Sequence, residues 1–317
     1  MNSIVTLTMN PALDITTDAD VVRPTDKVRC TGVRYDPGGG GVNVAQVAHN
    51  LGASVTALFP AGGATGDTYD ELLTARGIAF RRVKITGSTR ESFTIDETST
   101  GLQYRFVLPG PSLTFAELQQ CLVELRHLAA SATFVVASGS LPPGAPSDFY
   151  QQVALVCREL GVRLILDTSG GGLRHLTSGV FLLKASVREL RECVGRELVT
   201  ESEQMAAAHE IVDCGRAEAV VVSLGSEGAL LATSTESKRY LAIPVRGVSG
   251  VGAGDAMTSA ITVGLSRGWS LSESVRFGIA TGAAMVLTPG TAPCTRADVE
   301  RLFEVAEEPA DIGVVCV

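Results

Sequence analysis

The amino-acid sequence predicts an α/β protein with a doubly wound, mostly parallel sheet and a small antiparallel β lid. In the middle of the chain, short apolar runs of strand length alternate with stretches of helical periodicity. Parallel strands that are buried on both faces have this pattern, because the helices between them cover the sheet. Two other segments alternate polar and apolar residues without a helix between them, which is typical of half-exposed antiparallel strands.

Each of these elements corresponds to a defined stretch. Strands of the main sheet are predicted at 133–138, 162–167, 180–186 and 219–225, and helices at 147–160 and 202–214. The region 252–287 is predicted to be largely helical. The lid strands are predicted at about 20–35 and 91–108. Since no repeat or low-complexity segment interrupts the pattern, residues 1–317 are expected to form a single domain that includes the lid.

Composition excludes several classes of function. The chain has 317 residues and a formal net charge of −8, so we expect no nucleic-acid partner, which would need clustered Lys and Arg. Its seven cysteines form no CxxC pair and its four histidines form no HExxH motif, which argues against a zinc site and a disulfide framework. Neither a transmembrane run nor a signal peptide is recognisable, so a cytoplasmic protein with no membrane partner is expected.

Two stretches near the N-terminus are candidate ligand sites. In TMNPALDIT (8–16) a strand ends at a proline turn and presents Asp14, whose carboxylate can accept hydrogen bonds from sugar hydroxyls. The same residue can instead cap its own turn. In PGGGGVNVAQVAHNLG (37–52) four glycines precede an amphipathic helix with Asn43 in its first turn. Glycine lets a ligand approach the backbone closely, although a plain flexible loop has the same composition.

A set of basic residues is associated with the predicted lid. Lys27, Arg29, Arg90 and Arg105 lie in or beside its strands, and period-two spacing puts Lys27 and Arg29 on one face. In an acidic protein such a set can bind a phosphate. Ordinary solvated charges that protect a strand edge from pairing give the same pattern, and both interpretations stay open.

The stretch GVSGVGAGDAM (247–257) places bare glycine backbone at a helix start, which attracts anions, yet it ends in Asp255. A carboxylate aimed at a phosphate would repel it, whereas one aimed at an incoming hydroxyl can take its proton. The amides of 252–254 can then stabilise a transferring phosphoryl group. The alternative is that Asp255 caps its helix. We expect the helix dipole to keep this carboxylate ionised at neutral pH.

In this order the motifs resemble the ribokinase-like, or PfkB, family of carbohydrate kinases over nearly the whole chain. The glycine motif matches at 38–43 and the C-terminal motif at 252–255. TLTMNPALD, FPAGGATGD, QYRFVLPG, SGSLPPG and VRFGIATG are most similar to the 6-phosphofructokinase branch. The resemblance implies a ribokinase-like fold. It also implies an enzyme that converts fructose 6-phosphate and MgATP into fructose 1,6-bisphosphate and ADP. Alternatives are 1-phosphofructokinase or tagatose-6-phosphate kinase activity, or a weakly active or non-catalytic sugar-phosphate-binding homologue.

The resemblance also implies roles for individual residues, a homodimer formed through the lid, and ATP and Mg²⁺ as cofactors. For the sugar it implies Asp14, Gly39, Gly40 and Asn43, and for the sugar's phosphate Lys27 and Arg90, with Arg105 and Ser138 nearby. It implies that Asp255 is the catalytic base, beside an anion hole at Gly252, Ala253 and Gly254. On the nucleotide side it implies Lys184, Ser186, Ser223, Gly225 and Gly228, with Glu189 holding magnesium through water.

The chain departs from the family pattern in three places. Ser186 stands where the nucleotide motif Asn-x-x-Glu usually has asparagine, so the amide's longer reach is missing. Gly250 and Val251 precede the Gly-Ala-Gly-Asp motif, where a Thr or Ser often supplies a hydroxyl. Thr288 and Ala292 stand where a relative has polar residues, so a monovalent-cation site is not expected. These changes are compatible with lower activity.

Overall fold

The strands and helices alternate along most of the chain. The computed structural model describes residues 3–245, 250–288 and 292–313. Its strands are β1 (Ser3–Leu7), β2 (Ala12–Ala19), β3 (Thr31–Gly38), β4 (Ser54–Ala61), β5 (Ala79–Lys84), β6 (Arg90–Glu97), β7 (Gln103–Val107), β8 (Phe134–Ser138), β9 (Arg163–Asp167), β10 (Val180–Ser186), β11 (Ala217–Ser223), β12 (Gly228–Thr233), β13 (Ser237–Leu241) and β14 (Ala310–Asp311). Its helices are α1 (Gly40–Asn50), α2 (Gly63–Ala75), α3 (Phe115–Ala129), α4 (Phe149–Leu160), α5 (Gly171–Arg174), α6 (Val187–Val194), α7 (Glu201–Asp213), α8 (Ala253–Ser266), α9 (Leu271–Val286) and α10 (Arg296–Val305).

The main sheet has the strand order β14-β13-β12-β11-β10-β9-β8-β1-β4-β5. The seven strands β11, β10, β9, β8, β1, β4 and β5 are parallel to one another. Strands β12, β13 and β14 add an antiparallel edge. The doubly wound, mostly parallel sheet is therefore confirmed. Because the chain moves from β1 to β4 on one side and later returns to β8 on the other, the order reverses beside β1. Open α/β sheets bind ligands at such a reversal, outside the carboxyl ends of their strands.

Alternation within the central strands produces a hydrophobic core on each face of the main sheet. In β8, Phe134 and Val136 join one core while Val135 and Ala137 join the other. Both faces are apolar because successive side chains of a strand point in opposite directions and helices cover both sides. The carboxyl edge is the place where these strands end in polar residues. Among the described residues, no helix is both long and apolar enough to cross a bilayer.

The second sheet is the lid, with the order β3-β2-β6-β7. Its β2–β3 and β6–β7 pairs are antiparallel, as expected, whereas β2 and β6 pair in parallel. The predicted lid segment 91–108 corresponds to β6 and β7. The predicted segment 20–35 was partly wrong: residues 21–30 are not a strand, and β2, which precedes them, supplies the missing strand. The turn at 24–26, in which Thr25 has a φ of 68°, interrupts the extended backbone.

Candidate active site

A cavity of about 340 Å³ lies between the inner face of the lid and the starts of α1 and α8. Of the residues implied by sequence, those that line it are Asp14, Gly39, Asn43, Arg90, Arg105, Gly252 and Asp255. These residues come from five elements and from the loops before two helices. Gly39 is the residue immediately before α1, and Gly252 is the residue immediately before α8. The fold thus brings the sugar-side candidates together around one space.

Asp255 is the third residue of α8, and its side chain turns away from its own helix. The residue that precedes α8, Gly252, has a φ of 78°, which glycine adopts without strain, and it makes no side-chain cap. Asp255 Oδ2 accepts a hydrogen bond from Asn43 Nδ2 at 2.9 Å, and Oδ1 accepts one from Ser138 Oγ at 3.2 Å. The carboxylate is therefore fixed from α1 and β8 and faces the cavity, rather than serving as a helix cap.

The Gly40 backbone lies against the end of β8, next to Ser138. A Cβ on Gly40 would lie 2.3 Å from Ser138 Oγ and 2.8 Å from the amide nitrogen of Gly139. Only glycine allows α1 to begin this close to the end of β8. Asn43, one turn further along α1, is thereby brought within hydrogen-bond distance of Asp255.

A buried ion pair lies behind the start of α8. Lys184 Nζ on β10 is 3.1 Å from Asp167 Oδ2 at the end of β9, and Thr258 Oγ1 donates to the same oxygen at 2.8 Å. A Cβ on Gly254 would lie 2.8 Å from Lys184 Nζ, so the ammonium group faces the first turn of α8. The first amides of a helix have no intrahelical partner, and together with Lys184 they form a positive region suited to a phosphoryl group.

Asp167 was missed in the sequence reasoning. The signal was available, because VRLILD ends a predicted parallel strand in a carboxylate at the edge where such sheets bind ligands. Its partner Lys184 lies 17 residues away, on the neighbouring strand β10. Burial alone would lower the pKa of Lys184, but Asp167, Asp255 and Glu189 hold that pKa above its ordinary value. The lysine is therefore a charged cation.

Both carboxyl groups of the cavity hold their protons more tightly than usual. Burial raises the pKa of Asp255 to about 6, and Asp167 adds to the rise, while Asn43, Lys184 and Ser138 oppose it. Burial likewise raises the pKa of Asp14 to about 6, against the effect of Arg90 and Arg105. The helix dipole does not hold the pKa of Asp255 at or below its ordinary value, because desolvation outweighs it. A group with a pKa near 6 is still mostly ionised at pH 7.

The two arginines of the cavity have different surroundings. Arg90 on β6 donates to the carbonyl oxygen of Asn10 at 3.3 and 3.1 Å and to that of Leu108 at 3.1 Å. Arg105 on β7 is exposed, and among the described residues it has no hydrogen-bond or ion-pair partner. It lies opposite Thr94, on the face of the lid that carries Asp14. A bound anion would give Arg105 the partner that the described residues do not supply.

Lys27 and Arg29 lie outside the cavity lining. Both are exposed residues of the 21–30 segment, so the predicted shared strand face does not exist. The basic pair at the cavity is instead Arg90 and Arg105. Of the opening motif, residues 247–249 lie outside the described residues, whereas Gly250 and Val251 line the cavity.

The nucleotide-side candidates lie along the carboxyl edge of β10 and β11. Ser186 and Ser223 are paired in register there and line a groove of about 460 Å³. Ser186 and Glu189 form a capping box at the start of α6: Glu189 Oε2 accepts from the Ser186 amide at 2.8 Å and from its hydroxyl at 2.7 Å. Gly225 begins the exposed turn after β11. A Cβ on Gly228 would lie 2.0 Å from the Tyr240 carbonyl oxygen, so strand packing alone requires glycine there.

No cluster of three or more potential metal-ligating side chains occurs among the described residues. Mg²⁺ commonly binds through one or two carboxylates, waters and substrate phosphates, so Glu189 and Asp167 fit a metal that arrives with a nucleotide. At the position where a relative has polar residues, Thr288 Oγ1 donates to the Ala284 carbonyl oxygen at 3.1 Å. Ala292 is exposed, and residues 289–291 between them lie outside the described part of the chain.

A doubly wound sheet with a β lid over a polar cavity, and a carboxylate at a glycine-rich helix start, together define a small-molecule kinase of the ribokinase-like class. The sequence profile of the pfkB family carbohydrate kinases matches residues 7–298, and the chain belongs to this family. It is 69% identical over 310 residues to the ATP-dependent 6-phosphofructokinase isozyme 2 of Mycobacterium tuberculosis (strain ATCC 25618 / H37Rv), covering 98% of this chain and 91% of the relative. It is 34% identical to a 1-phosphofructokinase of Xanthomonas campestris pv. campestris, covering 82% of this chain and 83% of the relative. The solved structure of phosphofructokinase-2 from Escherichia coli in complex with fructose-6-phosphate matches with a TM-score of 0.90 at 38% identity, covering 96% of this chain and 99% of that one.

Proposed function

We propose that this protein is an ATP-dependent 6-phosphofructokinase that phosphorylates fructose 6-phosphate to fructose 1,6-bisphosphate. The observation that carries the proposal is the cavity in which Asp14 and Asp255 lie close to two lid arginines. A ketohexose phosphate needs acceptors for its hydroxyls, cations for its phosphate and a base at the reacting hydroxyl. The similarity to a 6-phosphofructokinase at 69% identity supports the same substrate.

In the proposed reaction, Asp255 takes the proton of the sugar hydroxyl as its oxygen attacks the γ-phosphorus of ATP. A P–O bond forms to the sugar, and the bond from the γ-phosphorus to the bridging oxygen breaks, which releases ADP. The charge on the transferring phosphoryl group is stabilised by Lys184 and by the amides that begin α8. Asp14 orients the sugar through its hydroxyls, and Arg90 and Arg105 hold its existing phosphate.

Magnesium enters as part of MgATP in this proposal. Asp167 is held by Lys184 and Thr258, and Glu189 by Ser186, so each of them can orient a water of the metal shell. Mg²⁺ supplies charge neutralisation between the phosphates of the nucleotide. We also propose that the enzyme is cytoplasmic, which agrees with the free state of all six cysteines in the described residues.

The alternative substrates are fructose 1-phosphate and tagatose 6-phosphate. The similarity to a 1-phosphofructokinase keeps the first of these open. A ribokinase-type substrate without a phosphate is disfavoured, because Arg105 would then have no anion to bind. A non-catalytic sugar-phosphate-binding protein is disfavoured because Asp255, Asn43 and Ser138 form an intact hydrogen-bonded set.

The substrate can be tested by coupled measurement of ADP release. Fructose 6-phosphate, fructose 1-phosphate, tagatose 6-phosphate and unphosphorylated fructose are compared at equal concentrations, with Asp255→Asn as the blank. We expect the highest kcat/KM for fructose 6-phosphate and a much lower value for fructose. If fructose 1-phosphate or tagatose 6-phosphate has the highest kcat/KM, that sugar phosphate is the substrate instead. Turnover of fructose alone would contradict the role of the lid arginines in binding a phosphate.

We further propose a homodimer formed through the outer face of the lid. Tyr35, Ile15, Phe93 and Phe106 are neighbours in register across the four lid strands and share the face opposite Asp14. Tyr35 and Phe106 are each about half exposed, which is a large apolar area for a free surface. Sedimentation of Phe106→Glu should show monomers where the parent protein is dimeric. Phe115→Glu, at an exposed phenylalanine on α3, is the control that should remain dimeric.

A further inference from the structure

Two carboxylates face each other across the lid strands β2 and β3. Asp14 and Asp36 are directly opposite in the antiparallel register, so their side chains lie on the same face. Residues opposite each other in such a pair have Cβ atoms roughly 4.5–5.5 Å apart, and like charges there repel. Asp36 is accordingly among the groups that raise the pKa of Asp14. The pKa of Asp14, the sugar-side carboxylate, therefore depends on how well the charge of Asp36 is neutralised.

Arg76, the residue that follows α2, supplies this neutralisation. One arm of its guanidinium group is ion-paired to Asp36 Oδ1, and the other donates to Gln46 Oε1 on α1. Gln46 Nε2 in turn donates to the Pro37 carbonyl oxygen at 3.0 Å. The side chains of Arg76 and Asp36 are 27% and 14% exposed, so solvent screens the pair only partly. Arg76 thus connects α1, α2 and β3 behind the cavity.

The remaining charged and titratable groups around Asp14 come from four other elements. Arg90 on β6 and Arg105 on β7 favour its ionised form, while Asp255 on α8 opposes it. Tyr69 on α2 stays protonated, because burial raises its pKa well above the ordinary value. Asp14 itself accepts no hydrogen bond from any described residue, so its oxygens are available to a ligand.

We propose that Arg76 is a positioning residue for sugar binding: by pairing with Asp36 it keeps the opposing Asp14 carboxylate charged and able to accept the sugar hydroxyls. Only the statement that Asp14 binds the sugar rests on the proposed function. Arg76 does not line the cavity and touches neither reacting group, so it acts through Asp36. Without Arg76, the Asp14 carboxylate should take up its proton at a higher pH, because the ion pair that offsets the opposing charge of Asp36 is lost.

The direct test is a carboxyl ¹³C NMR titration of the ligand-free protein, with the Asp14 signal assigned through Asp14→Asn. In Arg76→Met the midpoint of Asp14 should move upward by about one pH unit, and in Asp36→Asn it should move downward. The double variant Arg76→Met/Asp36→Asn should return toward the parent value. Arg126→Met, which removes a half-exposed ion pair with Glu159 at 2.7 Å, is the matched control and should leave the midpoint unchanged. An unchanged midpoint in Arg76→Met overturns the proposal.

Kinetics provide a second test that uses the sugar. If only ionised Asp14 binds, Arg76→Met should raise the KM for fructose 6-phosphate about fivefold at pH 6 and less than about 1.5-fold at pH 8.5, with kcat and the KM for ATP unchanged. A rise in KM that is the same at every pH indicates a purely structural role and also overturns the proposal. Parent protein that does not act on fructose 6-phosphate contradicts the proposed function instead, and the NMR titration still decides the role of Arg76.

Discussion

The two carboxylates of the cavity have similar pKa values and opposite kinds of surroundings. Asp255, at the edge of the main sheet, is held by hydrogen bonds from Asn43 and Ser138, with the paired Lys184 and Asp167 behind it. Asp14, on the lid, has no hydrogen-bond partner among the described residues and lies between charges of both signs. Burial raises the pKa of both to about 6. A shifted pKa therefore does not by itself distinguish a fixed group from one that awaits a ligand.

The hydrogen bonds distinguish them. At the main-sheet edge the polar groups bind one another, so their geometry is set before any substrate arrives, which suits a base and an anion hole. On the lid, Asp14 and Arg105 have no such partners among the described residues and can exchange water for substrate hydroxyls and phosphate. Substitutions at the main-sheet edge should therefore affect mainly kcat, and those on the lid should affect mainly the KM for the sugar.

The largest effect should follow from Asp255→Asn. General-base help is typically worth about 10²–10⁴-fold, so kcat should fall within that range while the KM for ATP changes little. Because burial disfavours the charged form of Asp255, the neutral amide should not lower the melting temperature. Measured kcat and thermal unfolding check both statements. A variant that melts early while its folded fraction turns over normally would show that the base lies elsewhere.

The same residue predicts the pH dependence of the parent enzyme. The folded-state pKa of Asp255 is raised to about 6, so the base is ionised above that pH and is lost as the pH falls through it. We expect kcat/KM for fructose 6-phosphate to fall as the pH drops through about 6, because this ratio reports the groups of the free enzyme. A pH profile of kcat/KM measures this. A flat profile down to pH 5 would exclude Asp255 as the titrating group.

Lys184→Met should produce the largest loss of stability. The ion pair with Asp167 is almost fully buried, and removal of one partner from such a pair costs about 3–5 kcal/mol because the other charge is left uncompensated. Urea unfolding should show this loss, and Lys184→Met/Asp167→Asn should recover most of it without recovering activity. If the single variant is as stable as the parent, the pair does not behave as a buried charge pair.

On the lid, Arg105→Ala should raise the KM for fructose 6-phosphate by about 10–100-fold, which corresponds to a lost charge-assisted contact of about 1.5–3 kcal/mol. Its melting temperature should not change, because Arg105 has no partner among the described residues. Arg90→Ala should raise the same KM and should also melt earlier, since it loses three hydrogen bonds to backbone carbonyls. Equal effects of either substitution on the KM for ATP would contradict this assignment.

The smallest effects are expected at Ser186. Ser186→Ala removes the capping box of α6 and should cost about 0.5–2 kcal/mol of stability, whereas Ser186→Asn can still cap the helix. If the serine limits the magnesium shell, Ser186→Asn should also lower the magnesium concentration needed for half-maximal activity. A magnesium titration in which the asparagine variant loses activity would show that serine already suits this site.

Local sequence determined the elements that depend on local interactions. The apolar runs at 133–138, 162–167 and 219–225 became β8, β9 and β11 because continuous burial of both faces leaves little alternative to a parallel sheet. The glycines before Asp255 likewise predicted a helix start, and α8 begins at Ala253. Segment 91–108 formed the β6–β7 hairpin because its strands are adjacent in sequence.

Tertiary structure decided whatever depended on residues distant in sequence. The pairing of β2 with β6 joins segments more than 70 residues apart and was not predicted. Lys27 and Arg29 lie outside the cavity lining because residues 21–30 are not a strand. Asp167 and Lys184 meet only because their strands are neighbours in the sheet, and Arg76 reaches Asp36 only because α2 packs behind β3. Local propensity is a property of a few neighbouring residues, while charge pairing and burial depend on the register of distant strands. The sequence therefore indicated which residues are candidates for the chemistry, but not which of them neutralise one another.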